Sequence, residues 1–157
     1  MRPTLFIVTA VAAVLAARSN PPAVPFPEGF REWAHVKSGL IGPTSERFAG
    51  LGGLHHVYAN PAARRALADG QWTDGAIIVL DRFEALEANG DTKEGKRLSL
   101  DVMVRDSARY STTGGWGFER FAGDTRNGVV GANAANACFT CHAAQANPRM
   151  VFTSWRP

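Results

Sequence analysis

Only two cysteines occur in 157 residues, and they stand beside a histidine in the stretch NACFTCHAAQ, as Cys138, Cys141 and His142. Thiols at this spacing can form a redox pair, supply half of a zinc site, close a small disulfide, or carry haem c through two thioether bonds. Each chemistry needs different surroundings. A thioredoxin-type CxxC opens a helix early in a βαβ unit, where exposed amides and the helix dipole lower the thiol pKa. Here the motif lies near the C-terminus with no βαβ pattern before it. Tetrahedral zinc takes four ligands, and only His35, His55, His56 or a carboxylate remain to complete the set, without the paired spacing of structural zinc sites. A bare disulfide would close a very short loop, remove little chain entropy and leave His142 without a role. Haem c uses all three residues: the thiols on one local turn reach the two vinyl groups, and the adjacent imidazole becomes the axial iron ligand. The spacing therefore favours one covalent haem c per chain, attached at Cys138 and Cys141, with His142 on the iron.

The opposite end of the chain agrees with that chemistry. MRPTLFIVTAVAAVLAARSN has Arg2 as a short positive region, Leu5 to Ala13 as an uncharged apolar core, and Val14-Leu15-Ala16 as a small-residue exit. This is the form of a secretory signal peptide over residues 1–17, which places the mature protein in the periplasm. A membrane anchor would need about 18 or more apolar residues, and Arg18 ends the run early. Residues 18–27, which include NPPAVPFP, form a proline-rich lead-in, and residues 28–157 make one domain. The net charge of +3 comes from 17 basic against 14 acidic residues, with no basic run longer than Arg64-Arg65, so a nucleic-acid footprint is absent.

The elements that must position the motif are mostly strands. GFREWAHVKS predicts a short helix followed by a strand, and GGLHHVYAN a strand ending at Asn60-Pro61. NPAARRALADG predicts a helix with Asn60 as N-cap, Pro61 at its first position and Gly70 as its stop. A buried strand follows through Ile77, Ile78, Val79, Leu80 and Phe83, then a turn at Asn89-Gly90-Asp91. RLSLDVMVRD alternates Leu98, Leu100, Val102 and Val104 against polar partners and reads as a half-exposed antiparallel strand. GGWGFERFAGD predicts an aromatic strand with Trp116 and Phe118 in phase and Phe121 out of phase, and MVFTSW a last strand. The fold class is α+β, a mostly antiparallel β-sheet with a few short helices.

Position within the chain also bears on the iron. Only Met150 follows the motif, eight residues after His142, and Met103 falls inside an alternating strand. Methionine is a common filler of irregular packing, so both read as core and the sixth coordination site reads as open.

In this order, PEGFREWAHV, HHVYANPAA, GQWTDGAIIVLDRF, DVMVRDSARYSTTGGWGFERF, CFTCH and MVFTSW resemble the cytochrome P460 and cytochrome c′-beta proteins over nearly all of the mature sequence. The resemblance implies a cytochrome P460-like fold and a homodimeric periplasmic protein with one haem c per chain. It also implies five-coordinate iron on His142 and a pocket for small nitrogen-oxide ligands on the other face. In the hydroxylamine-oxidising branch a lysine following a DGAxxV strand is cross-linked to the haem. Here the strand runs Asp74-Gly75-Ala76-Ile77-Ile78-Val79-Leu80-Asp81, and Leu80 stands at the lysine position. That resembles the c′-beta branch, which binds NO. An aliphatic wall of Leu80, with Ile78 on the same face of the strand, leaves no donor for bound O₂ and no proton acceptor for N–H oxidation. Arg126 is a candidate for a haem propionate or the pocket mouth, and one of His55 and His56 must face inward. Three functions follow: a gas-binding haem protein of c′-beta type, a hydroxylamine or NO oxidase of P460 type, and an electron-transfer cytochrome that meets a redox partner protein.

Overall fold

A computed structural model describes residues 23–145 and 150–156. The expected signal peptide, residues 1–17, lies outside the described residues. Five strands form one antiparallel meander, each paired with the next in sequence: β1 (Ala34–Ile41), β2 (Gly53–Ala59), β3 (Ile77–Ala88), β4 (Asp91–Arg105) and β5 (Trp116–Ala122). A single helical turn, α1 (Phe48–Leu51), joins β1 to β2, and α2 (Pro61–Asp69) joins β2 to β3. The α+β expectation is met.

Local chemistry sets most of these boundaries. Asn60 caps α2 through its side-chain oxygen, which accepts from the Ala63 amide at 2.9 Å, while Gly70 ends the helix at φ 82°. The same oxygen accepts from Ile77 at 3.1 Å and its amide group donates to the Gly75 carbonyl at 2.8 Å, so one side chain also fixes the entry to β3. Loss of such a cap costs about 1 kcal/mol. Asn89 and Gly90, at φ 56° and 84°, make the tight β3–β4 turn with two left-handed residues, which matches the twist of a two-residue hairpin.

Cross-strand partners share a face, so the register sorts the sheet into two surfaces. On one, Lys37, Val57, Leu80, Asp101 and Arg120 form a lateral row, flanked by the row of Ala59, Ile78, Met103 and Phe118. On the other, Val79, Leu100, Val102 and Phe121 form a core completed by Val24, Phe30 and Tyr110. Val24 and Phe26 pack into this second core, so the described part of the proline-rich lead-in belongs to the folded body rather than only leading to it.

Two strand expectations are corrected. MVFTSW is not a strand: residues 150–156 carry no regular structure, because Met150 is held at φ 59° with its carbonyl turned to His142. The RLSLDVMVRD strand is not half-exposed, since Leu100 and Val102 are buried on one side while Ser99 and Met103 are buried on the other. Alternation along one strand cannot reveal that a distant segment covers its polar face.

Candidate functional site

The segment with Cys138, Cys141 and His142 sits on a helical arm assembled from short pieces. A 3-10 turn spans Gly131–Asn133, a π-helical turn Ala135–Phe139, and α3 covers Thr140–Ala143. π-Helical turns are uncommon and concentrate at functional sites. On such an arm, positions three and four apart fall on one side, which aligns Cys138 with both Cys141 and His142. The arm lies on the Leu80 face, where Ala134, Cys138 and Phe139 pack with Ile78, Leu80, Met103, Trp116 and Phe118.

His142 is tightly oriented. Its Nδ1 lies 2.7 Å from the Met150 carbonyl, which can only accept, so Nδ1 carries the proton and Nε2 is left with a lone pair for a metal. The ring packs between Phe118 and Phe152, at 4.9 and 4.8 Å between centroids. Burial lowers its pKa, which keeps the imidazole in the neutral, ligating form. Met150 thus acts through its backbone, and its side chain packs on Gly114 and Phe139. Its left-handed backbone costs about 1–2 kcal/mol, which marks the carbonyl position as specified by the surroundings.

Both cysteines are free thiols, Cys138 half-buried and Cys141 exposed. Burial, followed by the Asp101 carboxylate, pushes the Cys138 thiol up to about 11. Among the described residues no group of three or more His, Cys, Asp or Glu side chains is arranged to hold a metal ion, so the zinc reading finds no ligand set.

The donor set fits a haem. Two thiols lie on one side of a helical arm, an imidazole presents Nε2, and a sheet face of Val57, Ala59, Ile78, Leu80 and Phe118 offers the apolar wall a porphyrin needs. Two buried donors on this face, Trp72 Nε1 and Arg105 Nε, have no hydrogen-bond acceptor, and both side chains pack on Trp116. Carboxylates such as haem propionates would satisfy them. A haem bound there would supply redox-active iron, and His142 is the residue that could hold it.

The face is less aliphatic than the sequence suggests. Leu80 pairs across the sheet with Asp101, whose carboxylate binds the Arg120 guanidinium, accepts from Ser99 at 3.1 Å, and lies 3.7 Å from Arg82. Arg82 is buried and donates to the Gly50 carbonyl of α1 at 2.6 Å and to Ser99 at 3.0 Å. The expectation that this wall lacks a proton acceptor is therefore corrected: a charged network borders Leu80 on one side. Lys37 ends the same row on the exposed edge strand, two strands or roughly 9.5 Å from Leu80.

Other candidates divide between the faces. His55 is the histidine on the Leu80 side, opposite Arg82, with its ring against Gly39 and its pKa lowered chiefly by burial. His56 points to the other side, where its ring nitrogens lie 2.7 Å from the Ser38 hydroxyl and 2.7 Å from Glu94. Arg126 pairs with Glu28 and lies over Phe26, a ring packed on the second core, so the structure does not bring it to His142. Ile78 and Leu80 do meet the arm that carries Cys138. Asp101 and Arg120 were invisible as a pair in the sequence because nineteen positions separate them and only the strand register joins them.

No curated protein matches the chain significantly. The family described as Cytochrome P460 matches residues 27–153, which spans the whole sheet, the arm with Cys138, Cys141 and His142, and the Met150 carbonyl that orients the imidazole. The chain belongs to the cytochrome P460 family and is a haem protein of that family.

Proposed function

We propose that this is a periplasmic protein with one covalent haem c, attached at Cys138 and Cys141, whose iron is bound by His142 alone and takes up small ligands such as NO on the Leu80 side. The observation that carries this reading is Leu80 itself. By the family resemblance it takes the position of the cross-linking lysine of the hydroxylamine-oxidising branch, and its side chain packs with the residues that surround Cys138. An aliphatic side chain there cannot cross-link the haem, and neutral NO needs no hydrogen-bond donor to bind. Met150 supports an open sixth position, because its backbone is committed to the Nδ1 side of the imidazole. NO binding or detoxification in a homodimer of c′-beta type is the role this arrangement suits best.

Asp101 favours a second reading. Its carboxylate adjoins Leu80 and supplies a proton acceptor of the kind that N–H oxidation requires, so hydroxylamine or NO oxidation of P460 type is the runner-up. Lys37, at the end of the same row as Leu80, is the lysine that a cross-link would use.

Optical spectroscopy of the reduced holoprotein, before and after addition of NO, separates the readings. A broad high-spin spectrum that changes on NO addition is expected. A strongly red-shifted Soret band would reveal a lysine cross-link and move the assignment to the oxidase. A sharp low-spin spectrum indifferent to NO would show a sixth protein ligand and an electron-transfer cytochrome.

A further inference from the structure

The chain passes from one side of the sheet to the other ahead of the arm, because Arg126 lies over Phe26 at the second core while the arm itself lies on the Leu80 face. The crossing takes place over the free edge of β5, where Gly128 bridges to Phe121 and the Val129 amide donates to the Arg120 carbonyl at 2.9 Å. At the point of crossing stands Glu119, a carboxylate only 3 % exposed. One oxygen accepts from the Val130 amide at 2.7 Å and the Arg120 amide at 3.0 Å, and the other accepts from the Gly131 amide at 3.1 Å. No cation is paired with it by a salt bridge among the described residues; backbone N–H groups satisfy it instead. Gly128 makes room for it, since a Cβ there would lie 2.4 Å from the Glu119 carboxyl carbon.

We infer that Glu119 is the positioning residue for haem attachment: its buried carboxylate fixes where the chain turns onto the Leu80 face, and so sets the reach of Cys138, Cys141 and His142. After the left-handed Gly131 the backbone is helical without a break to Ala143, so a shift at the crossing is carried along the arm to both thiols and the imidazole. A charge-assisted bond from a buried carboxylate to backbone amides is about twice as strong as a neutral one, which suits a pin rather than a simple filler. Its fixed negative charge, buried beside the arm, also favours the ferric state of an iron held there.

This inference rests on the covalent haem attachment proposed above. The full chain is expressed with a haem c maturation system as wild type, Glu119→Gln, Glu119→Ala, Gly128→Ala and, as a control, Val102→Ala. Val102 lies across from Glu119 on β4, packs in the second core, and takes no part in the hydrogen bonds from Glu119 to the arm. Covalent haem per chain, the iron–histidine stretching frequency and the reduction potential are measured on each.

Glu119→Ala is expected to lose most of its covalent haem, at least threefold relative to wild type. Glu119→Gln and Gly128→Ala should load haem but show a shifted iron–histidine frequency, and Glu119→Gln should also show a higher potential. Val102→Ala should lower thermal stability and leave all three haem readouts unchanged. Wild-type loading, frequency and potential in Glu119→Gln would overturn the inference, as would equal haem changes in Val102→Ala. Should Glu119→Ala fail to accumulate, Glu119→Gln and Gly128→Ala decide. Absence of covalent haem in the wild type would instead strike the proposed attachment itself.

Discussion

The two faces of one sheet are made by the same strands, yet they are finished in opposite ways. On the side of Val79, Leu100 and Phe121, the apolar residues are fully enclosed, and the buried acids there, Asp81 and Glu119, have firm partners. Asp81, with no exposed surface, is gripped by Arg97 at 2.7 Å and by Arg31 at 2.8 Å, while both guanidinium groups lie over the Phe83 ring. On the side of Ile78 and Leu80, polar groups are left open: two free thiols, the Nε2 of His142, the buried Trp72 N–H, which has no acceptor, and Arg105 Nε, which has only the Asp74 carboxylate 4.0 Å away. A buried donor without an acceptor costs about 1–3 kcal/mol, so a group that brings an acceptor to this face would stabilise it. The closed face holds the sheet together, and the open face is where a prosthetic group belongs.

The largest break in that comparison comes from the motif. Cys138→Ala combined with Cys141→Ala, expressed with a haem c maturation system, should abolish the haem-staining band on a denaturing gel while the sheet still folds. A remaining band would show that the attachment is not through these thiols. Next in size is a break confined to the closed face. Asp81→Asn takes the fully buried carboxylate from between Arg97 and Arg31 and leaves Arg97 only the exposed Asp124, and removing one partner of a buried ion pair costs about 3 kcal/mol or more. Chemical denaturation should show that loss, and the haem spectrum of the folded protein should stay as in the wild type.

The helix of NPAARRALADG was legible in the sequence because cap, first-turn proline and terminal glycine are local signals, and all three act where expected. The strand through Ile78 and Leu80 was equally legible, as were the opposite phases of Phe118 and Phe121, which fall in different cores. What could not be read were features that depend on register and on distant segments. MVFTSW has strand-forming residues, but the imidazole of His142 claims the Met150 carbonyl and the backbone turns left-handed to provide it. Glu119 sits among strand residues whose pattern gives no sign that the carboxylate meets the amides of Val130 and Gly131. Asp101 looks like a solvent-facing residue in an alternating strand until β5 brings Arg120 beside it.

A smaller effect concerns acidity on the open face. The His55 pKa is lowered, first by burial and then by the charges of Lys37, His56, Arg47 and Arg82, so the folded state resists protonating it. The unfolded chain then binds more protons below its ordinary value of about 6.5, and stability contributed by neutral His55 is lost as pH falls through that value toward the folded pKa. Thermal melts from about pH 7 down to about pH 5.5 should therefore fall less steeply for His55→Gln than for the wild type. Equal slopes would place the acid sensitivity elsewhere.

Val79 and Leu80 test the central claim most directly, because they are adjacent in β3 and point to opposite faces. Carbon monoxide association with the reduced holoprotein is measured for wild type, Val79→Ala and Leu80→Ala. Faster or tighter binding is expected in Leu80→Ala, where the aliphatic wall proposed to face the iron has been removed. An unchanged rate is expected in Val79→Ala, despite a stability loss of about 2 kcal/mol from the closed core. An unchanged rate in Leu80→Ala, together with an altered one in Val79→Ala, would contradict the placement of the ligand pocket on the Leu80 face.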